Sequence, residues 1–198
     1  MTGRRGRFIV LEGGEGSGKS TQARLLADAL GAVLTREPGA TDVGGRIREV
    51  VLDPATVGLD DRAEALLMAA DRAQHVAEVV RPTLEQGRDV VCDRFSGSTL
   101  AYQGYGRGLD PDELAWLSSW AARGLEPDVV VLLDVPRDVA AGRSGGSPDR
   151  MEAEDAAFHE RVLAGYHALA AADPGRWVVV DGRGTVDEVA ERVLKAVR

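Results

Sequence analysis

The sequence predicts a three-layer α/β domain, with a five-stranded parallel sheet flanked by helices. Three observations predict it: apolar, β-branched runs recur along the chain, helical patterns separate them, and charged or glycine-rich residues follow the runs directly. A strand covered by helices on both faces reads as a continuous apolar run, not an alternating one. Strands that alternate with helices require parallel crossovers, and ligands then gather outside the carboxyl ends of the strands.

In chain order, Phe8-Ile9-Val10-Leu11 is the first strand, and a helical pattern runs from Lys19 to Leu30. Val33-Leu34 forms the second strand and leads into Arg36-Glu37-Pro38-Gly39. A long helical pattern follows from Asp61 to Gln86; Pro82 lies inside it, so the helix kinks or restarts near Arg81. Val90-Val91-Cys92 is the third strand, ending at Asp93-Arg94, and a helix from Pro111 to Arg123 precedes the fourth, Val129-Val130-Val131-Leu132-Leu133. Asp134 leads on towards Arg143 and Arg150, with a loop composition at Ser144-Gly145-Gly146-Ser147-Pro148 between those arginines. Helical patterns from Arg150 to Ala172 and from Val186 to Val197 enclose the fifth strand, Trp177-Val178-Val179-Val180. Neither a repeat nor a long linker interrupts the chain, so residues 1–198 read as one domain.

Composition excludes several classes. An apolar fraction of 44% and a charged fraction of 28% fit an ordinary globular protein. The net charge of -8 opposes general nucleic-acid binding, which needs a basic surface to displace counterions. No apolar run reaches the length of a membrane span, and Met1 to Arg7 lacks a signal-peptide core, so a cytoplasmic protein without membrane attachment is expected. The single cysteine, Cys92, forms no internal disulfide and reads as a small buried residue.

Gly13-Gly14-Glu15-Gly16-Ser17-Gly18-Lys19-Ser20 fits G-x-x-x-x-G-K-[ST] between the first strand and the first helix, the context of a P-loop NTPase fold. Glycines let the backbone curl so that successive N–H groups face phosphate oxygens, and the helix adds the positive end of its dipole. Lys19 is placed for the β- and γ-phosphates, and the Ser20 hydroxyl for the magnesium ion between them. A GTPase of the common kind reads its base with Asn-Lys-x-Asp, and the chain has no asparagine. A small-molecule kinase remains, and it needs a second anion site, for which the planar fork of arginine is suited. Arg36, Arg48, Arg72 and Arg94 are the candidates near the mouth of the sheet.

Leu11 to Thr21, Thr35-Arg36-Glu37-Pro38-Gly39 and Asp93-Arg94 followed by Ser98 and Ala101-Tyr102-Gln103-Gly104 together resemble bacterial thymidylate kinase, a nucleoside monophosphate kinase family. Ala69-Ala70-Asp71-Arg72, Leu133-Asp134-Val135 and Asp149-Arg150-Met151-Glu152 extend the resemblance over nearly the whole chain. It implies ATP-dependent phosphorylation of thymidine 5'-monophosphate (dTMP) to the diphosphate, for dTTP synthesis, with magnesium. By position, Gly13 to Thr21 would cradle ATP and Glu15 would meet the deoxyribose 3'-hydroxyl. Arg94 and Arg48 would hold the acceptor phosphate, Arg72 and Gln103 would read the thymine edge, and Ser98 would lie beside the base. Tyr102 would crowd the 2' position, and Arg36 and Pro38 would belong to the same acceptor site. Glu37 and Asp93 would orient magnesium-bound water and the phosphate-binding arginines. The chain departs from the commoner family pattern at Met68, where an aromatic stacks on the base, and at Phe95 and Gly97, in place of Tyr and Asp.

The resemblance also implies a lid, about 143–152, that supplies the charge other members place inside the phosphate loop, where this chain has Gly16. Arg143 and Arg150 flank it, and at least one is expected at the transferring phosphoryl group. The histidines, His75, His159 and His167, need no catalytic role. A homodimer is implied, with the helix from Asp61 to Gln86 as one source of the interface; its apolar face serves equally as domain core. Kinases for another nucleoside monophosphate or small metabolite, and a nucleotide-dependent ATPase switch, are the alternatives that an acceptor screen separates.

Overall fold

The computed structural model describes residues 4–143 and 147–198. Its central strand, β1 (Phe8–Glu12), is buried at every position. Successive side chains leave a strand on opposite faces. Ile9 and Leu11 accordingly pack with Ala23, Leu26 and Val193, while Phe8 and Val10 pack with Val76, Val80 and Leu84. Burial on both faces is why this strand carries no polar alternation. β2 (Val33–Arg36), β3 (Val90–Asp93), β4 (Val129–Asp134) and β5 (Trp177–Asp181) complete a five-stranded sheet in the order β2-β3-β1-β4-β5. All four pairings are parallel, with Val10 opposite both Cys92 and Val130.

One face is covered by α1 (Lys19–Leu30) and α9 (Val186–Ala196). α2 (Asp42–Leu52) and α3 (Asp61–His75) pack together and lead to a π-helical segment, Val76–Val80, and α4 (Arg81–Glu85) on the other face. After β3 come α5 (Ser96–Thr99), a second π-helical segment Leu100–Gly106, and α6 (Pro111–Ala121). α7 (Arg137–Ala141) follows β4, and α8 (Ala156–Ala172) packs Phe158, Val162 and Tyr166 against Leu132 and Ala101. Among the described residues no helix is long and apolar enough to cross a membrane.

The restart expected near Arg81 is present, one expected helix boundary needs correction, and two helical stretches were not expected. The long helix from Asp61 divides into three segments, and the Arg81 N–H bonds to Val76 O, five residues back. Pro82 has no N–H for the carbonyl four residues before it, and the Thr83 hydroxyl donates to Val79 O at 2.7 Å. The helix expected from Arg150 starts only at Ala156, where the Asp155 side chain accepts from Phe158 N at 2.7 Å. α2 was not foreseen; Gly44 and Gly45 obscure its pattern, although Thr41 caps it by accepting from Gly44 N at 2.9 Å. The helical stretch from Ser96 to Gly106 was likewise hidden by Gly97, Gly104 and Gly106. Of the loop expected at Ser144 to Pro148, Ser144 to Gly146 lie outside the described residues, as do Met1 to Gly3.

Candidate active site

β1 ends at Glu12, and the chain turns at once over the top of the sheet. Gly13 has φ +148°, and a Cβ there would lie 2.7 Å from Leu133 O, so only glycine fits this close approach to β4. Gly18 caps α1 in the left-handed region, and no acidic residue occupies the first turn of that helix. The Lys19 Nζ donates to Gly14 O at 2.7 Å and to Ser17 Oγ at 3.2 Å. Burial, with the neighbouring Arg94 charge, lowers the Lys19 pKa to about 8.

Two cavities open here. The larger, about 830 Å³, is lined by Gly14 to Gln22, then by Val135, Arg143 and the 182–186 loop. The smaller, about 250 Å³, is lined by Arg36, Glu37, Pro38, Arg48, Met68, Arg72, Asp93, Arg94, Ser98, Tyr102 and Gln103 among others. Glu15, Lys19, Ser20, Tyr102 and Glu152 belong to both walls. Every expected acceptor-site residue therefore lines one chamber that meets the phosphate loop at its lysine.

Arg94 is the hub of that junction. Its backbone has φ +70°, unusual for a residue with a side chain, and its N–H donates to Leu11 O at 2.9 Å. One guanidinium nitrogen donates to Gly13 O at 3.1 Å and Tyr166 Oη at 3.0 Å; the other to Glu15 Oε1 at 2.5 Å and Tyr102 Oη at 3.1 Å. Tyr102 Oη donates to the same Glu15 oxygen at 2.6 Å. Burial works against the Glu15 charge, yet Arg94, Lys19 and Tyr102 hold its carboxyl at about 2. Glu15 is therefore an anion at any working pH.

Ser20 Oγ donates to Asp93 Oδ2 at 2.5 Å, while the buried Asp93 Oδ1 has no hydrogen-bond partner. A hydroxyl beside a carboxylate with an unused oxygen is an oxygen donor set that suits a hard cation. Among the described residues no group of three or more His, Cys, Asp or Glu side chains gathers to hold a metal. Such a cation would depend on phosphate oxygens and water for its other ligands.

Some predicted residues meet other partners than expected. Glu37 holds Arg72 at 3.0 Å and His75 Nδ1 at 2.8 Å, so it orients the Arg72 side chain, not the phosphate-binding arginines. Arg72 also donates to Ser118 and Thr99, and lies over the Phe95 ring. Ser98 Oγ is taken up by Glu12 at 2.6 Å and Tyr166 at 2.8 Å. Arg48 donates to Pro38 O at 3.0 Å. Arg143 reaches Gly182 O at 3.1 Å in the wall of the larger cavity. Arg150 does not reach the phosphate loop: it bonds to Val51 O at 2.7 Å and to Glu64.

Sequence reasoning missed Glu12, Glu64, Asp71 and Tyr166, while His75, read as needing no catalytic role, is fully buried between Thr35 and Glu37. Glu12 is fully buried and burial raises its pKa, while Phe95 N, Ser98 N, Ser98 Oγ and Tyr166 Oη all donate to it. A carboxylate closing an otherwise apolar strand was the available signal. Burial and the Glu37 charge push Asp71 up to about 6. Gly97 owes its place to the same network: a Cβ there would lie 2.8 Å from both Glu12 Oε1 and Trp177.

A phosphate loop on a parallel sheet, opening into a second chamber lined by arginines, defines a P-loop kinase that acts on a small anionic acceptor. A family model described as thymidylate kinase matches residues 11–193. Thymidylate kinase of Leifsonia xyli is 52% identical over 200 residues, covering 97% of this chain and 94% of the relative. That of Solidesulfovibrio magneticus is 51% identical over 201 residues, covering 94% and 96%. The crystal structure of thymidylate kinase from Ehrlichia chaffeensis superposes with a TM-score of 0.83 at 32% identity, covering 98% of this chain and all of that one. The chain belongs to the thymidylate kinase family.

Proposed function

We propose that ATP occupies the larger cavity and dTMP the smaller, and that the terminal phosphoryl group passes between them beside Lys19. The reaction is the phosphorylation of dTMP to dTDP with ATP as donor. One observation carries the assignment of the cavities: they share the walls Glu15, Lys19, Ser20 and Tyr102.

An oxygen of the acceptor phosphate attacks the γ-phosphorus as its bond to the β–γ bridging oxygen breaks, and ADP leaves. The acceptor is already an anion, so no strong base is required and positioning carries most of the catalysis. Lys19 and Arg143 neutralise charge on the donor side, and Arg94 and Arg48 on the acceptor side. The contacts of Glu15 with Arg94 and Tyr102 both use Oε1, which leaves Oε2 for the sugar 3'-hydroxyl. Tyr102 sits beside that sugar and disfavours ribose. Met68 lies against the base, and Arg72 and Gln103 face its polar edge. Magnesium would be held by Ser20 and Asp93 and would supply positive charge against the donor phosphates. Arg143 serves as the lid residue on the donor side, in the wall of the larger cavity.

The same reading takes the protein as cytoplasmic and homodimeric. Trp116 and Trp120 stack with ring centroids 6.4 Å apart yet remain exposed on α6, which packs on α3, where Leu66 is also exposed. A compound joining adenosine to thymidine through a chain of phosphates tests the joined cavities. Competition against both ATP and dTMP is expected; competition against only one would separate the chambers and overturn the reading.

A further inference from the structure

Gln103 is wholly buried at the wall of the acceptor cavity. Its Nε2 donates to Glu64 Oε1 at 2.7 Å, whereas its Oε1 has no hydrogen-bond partner. Buried polar atoms are almost always paired, so an orphaned amide oxygen on a cavity wall points to a ligand group. Glu64 is equally buried and also receives Arg107 Nη2 at 3.2 Å and Arg150 Nη2. Burial opposes its charge, but these donors hold its carboxyl below the usual range. An ionised carboxylate only accepts hydrogen bonds, so the amide nitrogen must face Glu64. Turning the amide over would set oxygen against oxygen.

We propose that Glu64 is a specificity-positioning residue: by holding the Gln103 nitrogen it leaves Gln103 Oε1 as an acceptor for a ring N–H of the substrate base. Thymine and uracil carry that N–H at N3, where cytosine carries a lone pair. A locked amide oxygen therefore rejects cytosine, while an unlocked glutamine turns to serve either base. The inference rests on dTMP occupying this cavity. It also explains the position of Arg150, which with Arg107 secures the carboxylate; Arg107 in turn pairs with Glu154 at 2.5 Å.

The test compares kcat/KM for dTMP and 5-methyl-dCMP, which share the methyl group, in wild type, Glu64→Gln, Gln103→Leu and the double variant. Glu64→Gln should shrink the dTMP preference by about tenfold or more. Gln103→Leu should do the same, and the double variant no more than either. A preference unchanged in Glu64→Gln but lost in Gln103→Leu overturns the lock. If Gln103→Leu leaves the preference intact, Gln103 does not read the base and the proposal falls, while the two-substrate competition above still judges the cavity itself. A measurement on the unaltered protein avoids any folding defect of the variants. The imino proton of dTMP labelled with nitrogen-15 at N3 should exchange slowly in the complex, and exchange as fast as in free dTMP would overturn the proposal.

Discussion

Lys19 meets two opposing demands. It must be charged to meet phosphate, yet burial and Arg94 lower its pKa to about 8. Binding an anion favours the protonated form, so ATP affinity should hold below pH 8 and weaken by about tenfold per unit above it. Isothermal titration between pH 7 and 10 checks this; a flat profile would show that Lys19 stays protonated. Lys19→Ala should lower kcat by roughly a thousandfold, in the range of a lost transition-state donor. Met68 poses a different question, because it lines the acceptor cavity where an aromatic side chain would stack on the base. Met68→Phe should lower the KM for dTMP and sharpen base choice, and an unchanged KM would assign Met68 to packing alone. Lys19 and Arg94 were legible because motif and spacing reveal them. Glu12 and Glu64 were not, because a buried carboxylate is defined by donors that come from distant segments, such as Ser98 and Arg150.

At the scale of elements, the turn after β3 binds the site to the sheet. Glu12 accepts the N–H groups of Phe95 and Ser98, each at 3.0 Å, and so fixes the backbone that carries Arg94. Gly97→Asp would drive a second carboxylate against Glu12, at a cost of about 2–4 kcal/mol in thermal or denaturant unfolding. A variant as stable as the parent would contradict that packing. Arg143 donates to Gly182 O at 3.1 Å, at the start of the 182–186 loop. Arg143→Ala should lower kcat more than it weakens ATP binding, and an unchanged kcat would remove it from the mechanism. The strands were legible because two-sided burial leaves continuous apolar runs. α2 and the stretch from Ser96 to Gly106 escaped because their glycines serve packing: a Cβ at Gly106 would lie 2.6 Å from Phe158.

For the whole molecule, the order β2-β3-β1-β4-β5 sets the phosphate loop on the central strand, with β3 and β4 delivering Asp93-Arg94 and Asp134 to either side. Strand order was not readable from periodicity, which reveals elements but not their neighbours. The exposed Trp116 and Trp120 lead to a further expectation, that Trp116→Glu with Trp120→Glu converts a dimer to monomers in sedimentation velocity. A wild-type monomer would refute the pairing. The central claim is that phosphoryl transfer joins the two cavities, and its most direct test is ADP formation from magnesium-ATP with dTMP, dUMP, UMP, other nucleoside monophosphates and no acceptor. The account predicts rapid turnover with dTMP, weak turnover with ribonucleotides and almost none without acceptor; equal turnover across acceptors, or hydrolysis that ignores them, would contradict it.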